Sequence, residues 1–255
     1  MNLSAYLKVD GNLYFRNSKT MDNFVDSIKS MNFAIFDFDG TLFPGLFIFD
    51  LTKKIFSKKQ YSVTYRKKLV ELEEIAQMYN SGYFETAYAK FVRLLNREDK
   101  SEFVRESRVL LAKSYIYGEL TVKKLKEKYN LHSVLVSLTS NFIAELVREK
   151  FSFQATTSID YEITPKSGKE LFTGKFGKIE SPQVTKQKML STVGGEKAIT
   201  PFICFCDSSD DLPIFSNASI KVGINPSVEL IKSANFDVIL IGVKTDPWKS
   251  FYNFI

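Results

Sequence analysis

The chain reads as an α/β protein in which a mostly parallel sheet is interrupted, after its first core strand, by an insert made of helices. Three observations carry this reading. Short apolar runs end in acids or hydroxyls: residues 32–38 run into Asp37 and Asp39, residues 133–137 end on Ser137, and Phe202–Cys206 is followed by Asp207. Helical periodicity separates those runs, as parallel strands joined by crossover helices require. Between residues 46 and 117 apolar residues recur only at helical spacing, with no convincing strand. With 255 residues, 44% of them apolar, the chain can bury a substantial core and suits one catalytic domain carrying an insert.

Taken in order, residues 1–30 are polar and mixed, with a weak helical pattern over 21–30, and read as an N-terminal extension without chemistry of its own. No long apolar stretch of the secretory type opens the chain. Its most apolar run, residues 42–49, is broken by Pro44 and Gly45. The expectation is a soluble, cytoplasmic protein with no membrane partner. The first core strand is built on Phe33-Ala34-Ile35-Phe36. In the insert, Leu69, Leu72, Ala76 and Tyr79 recur at helical spacing, and so do Phe84, Ala87, Tyr88, Phe91, Leu94 and Leu95. The core is therefore expected over residues 31–45 and 118–255, with a helical cap over 46–117.

After Gly118 come a helix through Leu125 and Tyr129, the strand 133–137, and a helix bearing Phe142, Ile143, Leu146 and Val147. Residues 155–164 and 171–176 flank the turn cluster Pro165-Lys166-Ser167-Gly168, which predicts a β-hairpin. Further strands are expected at Phe202–Cys206, Ile220–Ile224 and 238–241, with a helix opening near Pro226 and Ser227. Cys204 and Cys206 alternate within an apolar run, so both side chains fall on one face of a strand as core packing. They lie far from the single histidine, His132, and lack zinc-site spacing.

Lysines and arginines outnumber acids by 35 to 29, a net charge of +6 that favours anionic ligands such as phosphate esters. Nucleic acid is compatible with this charge but not favoured, because the basic pairs, such as Lys53-Lys54 and Lys123-Lys124, are scattered as on solvated helix faces. The sequence sets no oligomeric state.

The chemistry concentrates in four places. Asp37 and Asp39, two residues apart at a strand's C-terminal edge and followed by Gly40 and Thr41, can divide a hydrolysis between nucleophile and general acid. That edge is where open α/β sheets bind ligands. Ser137 ends the next strand, with Thr139 beyond it. Lys186 lies near a helix start, with Lys188 as a rival two residues on. Asp207, Asp210 and Asp211 follow the strand Phe202–Cys206. An acidic turn is solvated by default, but the apolar strand before it drives this cluster to the sheet edge that carries Asp37.

Ala34-Ile35-Phe36-Asp37-Phe38-Asp39-Gly40-Thr41-Leu42 resembles the first motif of the haloacid dehalogenase superfamily, an apolar strand followed by D-x-D-G-T. Ser137 matches the second motif. Lys186, in Thr185-Lys186-Gln187-Lys188-Met189-Leu190, matches the K-x-x-x-L of the third. Asp207-Ser208-Ser209-Asp210-Asp211 matches the fourth, G-D-x-x-x-D, with Cys206 in place of the glycine. The helical insert resembles the small cap of the phosphoserine-phosphatase-like branch. This resemblance implies a Rossmann-like (HAD-type) parallel core and a magnesium-dependent phosphatase acting on a small-molecule phosphate ester.

By the same resemblance Asp37 is the nucleophile and is transiently phosphorylated, while Asp39 is the acid and then the base. Ser137, Thr139, Gly40 and Lys186 would bind the phosphoryl group. Asp37, Asp39 (through its main-chain carbonyl), Asp207 and Asp211 would hold Mg2+, Asp211 through water or by steadying Lys186. Leu46 stands where the resembled phosphoserine phosphatases place a glutamate for the substrate's amino group, which predicts weak preference for phosphoserine. Phosphotransfer to another acceptor, a phosphatase of nucleic-acid ends and a catalytically silent binding protein are the alternative readings. The last of these would be expected to have lost an acid, and none is lost.

Overall fold

A computed structural model of the protein describes residues 6–10, 12–177, 180–194, 200–242 and 245–255. The chain begins with β1 (Leu7–Asp10), β2 (Leu13–Phe15) and α1 (Ser18–Lys29), then enters the sheet with β3 (Phe33–Phe36). Four helices follow, α2 (Phe47–Lys58), α3 (Val63–Asn80), α4 (Phe84–Leu94) and α5 (Lys100–Leu110), and α6 (Ile116–Tyr129) leads back into β4 (His132–Ser140). Next come α7 (Asn141–Phe151), β5 (Ala155–Ile159), β6 (Tyr161–Lys166), β7 (Lys169–Phe176) and α8 (Pro182–Gly194). The chain then alternates β8 (Phe202–Cys206), α9 (Leu212–Asn217), β9 (Ile220–Ile224), α10 (Val228–Ser233), β10 (Val238–Leu240) and α11 (Trp248–Phe254).

Eight strands form one sheet in the order β1-β2-β10-β9-β8-β3-β4-β5. From β10 to β5 every pairing is parallel, so crossover helices cover the strands and their residues are apolar almost without alternation. Ala34, Ile35 and Phe36 of β3 are fully buried, and Phe36 stacks on Phe205 of β8 with ring centroids 4.6 Å apart. Cys204 and Cys206 are buried and free in that same strand. No helix among the described residues is long and apolar enough to cross a membrane.

Residues 7–29, set apart by the sequence as an extension, belong to this architecture. β2 pairs antiparallel with β10, Val238 opposite Phe15, and Leu13 and Phe15 are completely buried. α1 starts at Ser18 because Asn17 caps it, its side chain accepting the Thr20 N–H at 2.8 Å. A three-residue strand is too short for alternation to reveal, which is why the sequence offers it only as a leader packed on the core or an ordered tail.

The predicted hairpin is also redrawn. Residues 155–159 join the main sheet, parallel to β4, and only β6 and β7 pair with each other. Lys166 opposes Lys169, leaving Ser167 and Gly168 at φ +51° and +74° as a two-residue turn of the hairpin type. β7 packs against the helical insert, since the Arg97 N–H donates to the Phe172 carbonyl at 2.8 Å and the Phe172 N–H to Glu98 at 3.1 Å. Glu98, itself buried, takes a proton donor from Lys68 at 2.5 Å and from Tyr65 at 3.1 Å, so this carboxylate is not left unpaired.

Candidate active site

Register places the acids. Phe36 of β3 lies opposite Phe205 of β8 and Leu135 of β4, and the ladder continues one step as the Asp37 N–H donates to the Phe205 carbonyl at 3.1 Å. Asp37, Ser137 and Asp207 therefore emerge together at the carboxyl edge of neighbouring strands. Beyond Asp37 the chain turns sharply: the amides of Thr41, Leu42 and Phe43 all donate to the Phe38 carbonyl, and the Gly40 N–H donates to Phe43 and Gly45 carbonyls. Gly40 sits at φ +76°, and a Cβ there would lie 2.1 Å from Asp207 Oδ2. Only glycine lets the turn pass this carboxylate.

The turn is held from both sides. Thr41 Oγ1 donates to Asp207 Oδ1 at 3.1 Å, and the Trp248 indole N–H donates to the Thr41 carbonyl at 3.0 Å. The Asp39 carboxylate points to the start of α2, where the Phe47 N–H donates to its Oδ1 at 2.6 Å. A free amide in a helix's first turn is a natural partner for a carboxylate.

Of the two lysines on α8, Lys186 is the one that reaches the acids. Its side chain, 3% exposed, reaches from α8 to Asp211 Oδ1 at 2.5 Å and Asp37 Oδ1 at 3.1 Å. Lys188 faces outward and pairs with Glu180 at 2.5 Å. Gln183 Nε2 also donates to the Ser209 carbonyl, tying α8 to the acidic loop.

One carboxylate oxygen from each of Asp37, Asp207 and Asp211 lies within 4.8 Å of the others. Burial pushes Asp37 up to about 8, against the pull of Lys186 and with the help of Asp211 and Asp39. Burial, joined by repulsion from Asp37 and Asp211, also drives Asp207 well up. Asp39 is pushed up to about 6 by burial, moderated by the Phe47 amide and Lys186. Burial alone would lower Lys186, but Asp211 and Asp37 outweigh it and hold the ammonium charged. Three acids gathered around one ammonium leave negative charge uncompensated, and hard oxygens at this spacing suit a divalent cation.

Asp37, Asp39, Gly40, Ser137, Lys186 and Asp207 share a cavity of about 290 Å3. Asp211 stands behind Lys186, where Ser208 Oγ also donates to it at 3.3 Å. Thr139, grouped by the sequence with the phosphoryl-binding residues, does not line that cavity. Its amide donates to Ser137 Oγ at 3.3 Å, while its side chain borders a smaller recess beside the cavity. Tyr79, Asn80, Leu138, Ser208 and Asp210 also line the cavity. Tyr79 and Asn80 end α3 just before the Ser81-Gly82 turn, so their place in the site depends on how the insert docks, which spacing does not encode.

No family model and no curated protein sequence matches the chain. Solved structures match it in fold. A phosphoserine phosphatase captured as a phospho-aspartyl intermediate analogue superposes with a TM-score of 0.65 at 17% identity, covering 88% of this chain and 99% of that one. A haloacid dehalogenase family hydrolase from Salmonella enterica serovar Typhi gives a TM-score of 0.68 at 11% identity, with 92% of this chain and 80% of that chain covered. Cytosolic 5′-nucleotidase IIIB bound to cytidine gives 0.65 at 13% identity, with 96% and 93% covered.

Proposed function

We propose that this chain, whose fold is that of the phosphoserine-phosphatase-like haloacid dehalogenases, is a magnesium-dependent phosphomonoester hydrolase working through an aspartyl-phosphate. The observation that supports this most is the buried cluster in which Asp37, Asp207 and Asp211 converge on one another with Lys186 bridging two of them. Nothing in the packing of a sheet edge demands such a cluster. Its electrostatic cost is of the kind that catalytic sites carry.

In this reading an Asp37 oxygen forms a bond to phosphorus as the ester P–O bond opposite it breaks. Asp39, which burial keeps protonated at higher pH than an ordinary carboxyl, gives its proton to the departing oxygen. The resulting carboxylate is held by the Phe47 amide and then takes a proton from the water that cleaves the aspartyl-phosphate. Lys186 and Ser137 lie in the same cavity to hold phosphoryl oxygens, and Asp211 keeps Lys186 charged and in place. Asp37, Asp207 and the Asp39 carbonyl, with Asp211 directly or through water, would hold Mg2+, which would neutralise charge on the phosphoryl group.

The test is phosphate release from an aryl phosphate with and without Mg2+, for the native protein and Asp37→Asn. The substitution is nearly isosteric and should leave the circular dichroism spectrum intact while abolishing turnover. A folded Asp37→Asn protein with native activity would remove Asp37 as the nucleophile and the mechanism with it.

A further inference from the structure

Beside the main cavity lies a recess of about 30 Å3 under the helical insert, sharing Asp39, Leu46 and Tyr79 with it. Its apolar walls include Phe49 and Phe91, whose rings pack 4.9 Å apart. Two of its polar atoms are anomalous. The Thr139 hydroxyl, on a residue 2% exposed, is buried with no hydrogen-bond partner, and the Tyr88 hydroxyl, on a residue 7% exposed, has only the hydroxyl of Tyr161 beside it. Burying a hydroxyl unsatisfied is unfavourable, so such groups facing a recess are ready to bond whatever enters it. The Tyr79 hydroxyl, where recess and cavity meet, is likewise bonded to none of the described residues.

Charge narrows the occupant. Among the described residues lining cavity and recess, the one cation is Lys186, already engaged by Asp37 and Asp211. A carboxylate or second phosphate on the leaving group would enter a negative site with no free cation to meet it. An ammonium would find Leu46 at the mouth, and in the recess only Asp39, which the reaction needs for proton transfer. A site for a water needs roughly 10–15 Å3 on this measure, so the recess takes about two water-sized groups, the size of a hydroxymethyl end.

We propose that the substrate is a phosphate monoester of a small, uncharged, hydroxyl-bearing alcohol, a polyol or sugar. Its distal hydroxyl bonds Tyr88 and Thr139, and its C–H surface lies against Phe49 and Phe91. This rests on the phosphatase reading and specifies its leaving group.

The test measures kcat/KM of the full chain with saturating Mg2+ for a hexose phosphate, glycerol phosphate, phosphoserine and an aryl phosphate. At least one of the two polyol esters should exceed phosphoserine by tenfold or more. Tyr88→Phe and Thr139→Val should each lower the ratio of that ester to aryl phosphate by about 2- to 10-fold, the worth of one neutral hydrogen bond. Thr139→Val should not lower Tm, since it removes an unsatisfied buried hydroxyl. Phosphoserine matching or exceeding the polyol esters would overturn the proposal, as would equal losses on every ester in both variants. If aryl phosphate alone is hydrolysed, the phosphatase reading survives and the proposal fails. If no ester is hydrolysed, both fail.

Discussion

Replacing Gly40 by alanine separates the contribution of backbone conformation from that of crowding at the acids proposed to bind metal. At φ +76° a Cβ costs about 1–2 kcal/mol of local strain. The added carbon would also sit 2.1 Å from Asp207 Oδ2 and 2.4 Å from its Cγ, so the carboxylate must retreat by about 1 Å or more to reach ordinary contact. Overpacking of this kind costs about 1–3 kcal/mol, and the two together come to roughly 2–5 kcal/mol. For a chain of this size that lowers Tm by roughly 4–20 °C. Gly168 supplies the control: it sits at φ +74° with nothing within 4 Å of its Cβ position, so Gly168→Ala should show the strain alone. Thermal unfolding with and without Mg2+ gives both readouts. Gly40→Ala should lose more stability than Gly168→Ala and at least about tenfold in metal affinity, because the displaced carboxylate leaves Asp37 and Asp211. Equal losses in the two variants, with native Mg2+ affinity in Gly40→Ala, would refute the reasoning.

The two lysines of α8 should behave oppositely. Lys186→Met strands buried carboxylates, with an expected loss of about 3–5 kcal/mol and a fall of about a hundredfold or more in kcat, whereas Lys188→Met should change stability by less than about 0.5 kcal/mol; comparable effects in both would contradict the buried bridge. Trp248→Phe removes the donor to the Thr41 carbonyl and should lower stability by about 1–3 kcal/mol in denaturant unfolding; no change would mean that the turn is held without it. Metal stabilisation should depend on pH. In the metal-free protein Asp37 is pushed from 3.8 up to about 8, so the folded state holds a proton that the unfolded chain has released. That contribution is fully present below the unfolded value and is lost as pH rises through the folded one. Mg2+ competes with this proton, and its Tm increment should grow from about pH 5 to about pH 8; an increment that is flat or shrinks over this range would exclude coupling between the metal and the acids.

The parts of the site that were legible in the sequence are those where a buried apolar run ends abruptly in polar residues. Asp37 and Asp207 are of this kind, because a buried strand fixes where the residue after it emerges, whereas Ser137, expected at a strand end, lies three residues inside β4. Lys186 and Lys188 alternate along one helix, and only the packing of α8 shows which is swallowed. The Phe47 amide that holds Asp39 is backbone, which side-chain patterns do not record. Tyr88 lies at a helical spacing indistinguishable from core, and the place of its hydroxyl beside the recess becomes visible only with its surroundings. The strand β2 was illegible for another reason: three residues contain no period.

The pairing of β2 with β10 has a consequence for how the molecule is assembled. Arg16 donates to the Phe236 carbonyl across a sequence separation of 220 residues, and Phe15 lies opposite Val238 in the ladder beside it. One strand therefore has to wait for a partner that lies some 220 residues further along the chain. Closing so long a loop is entropically costly before any contact rewards it, and such topologies fold slowly. During vectorial synthesis Leu13 and Phe15 have only β1 as a strand partner until β10 has emerged, so nascent chains stalled before Val238 should expose more of this apolar segment to chaperones and proteases than longer ones do.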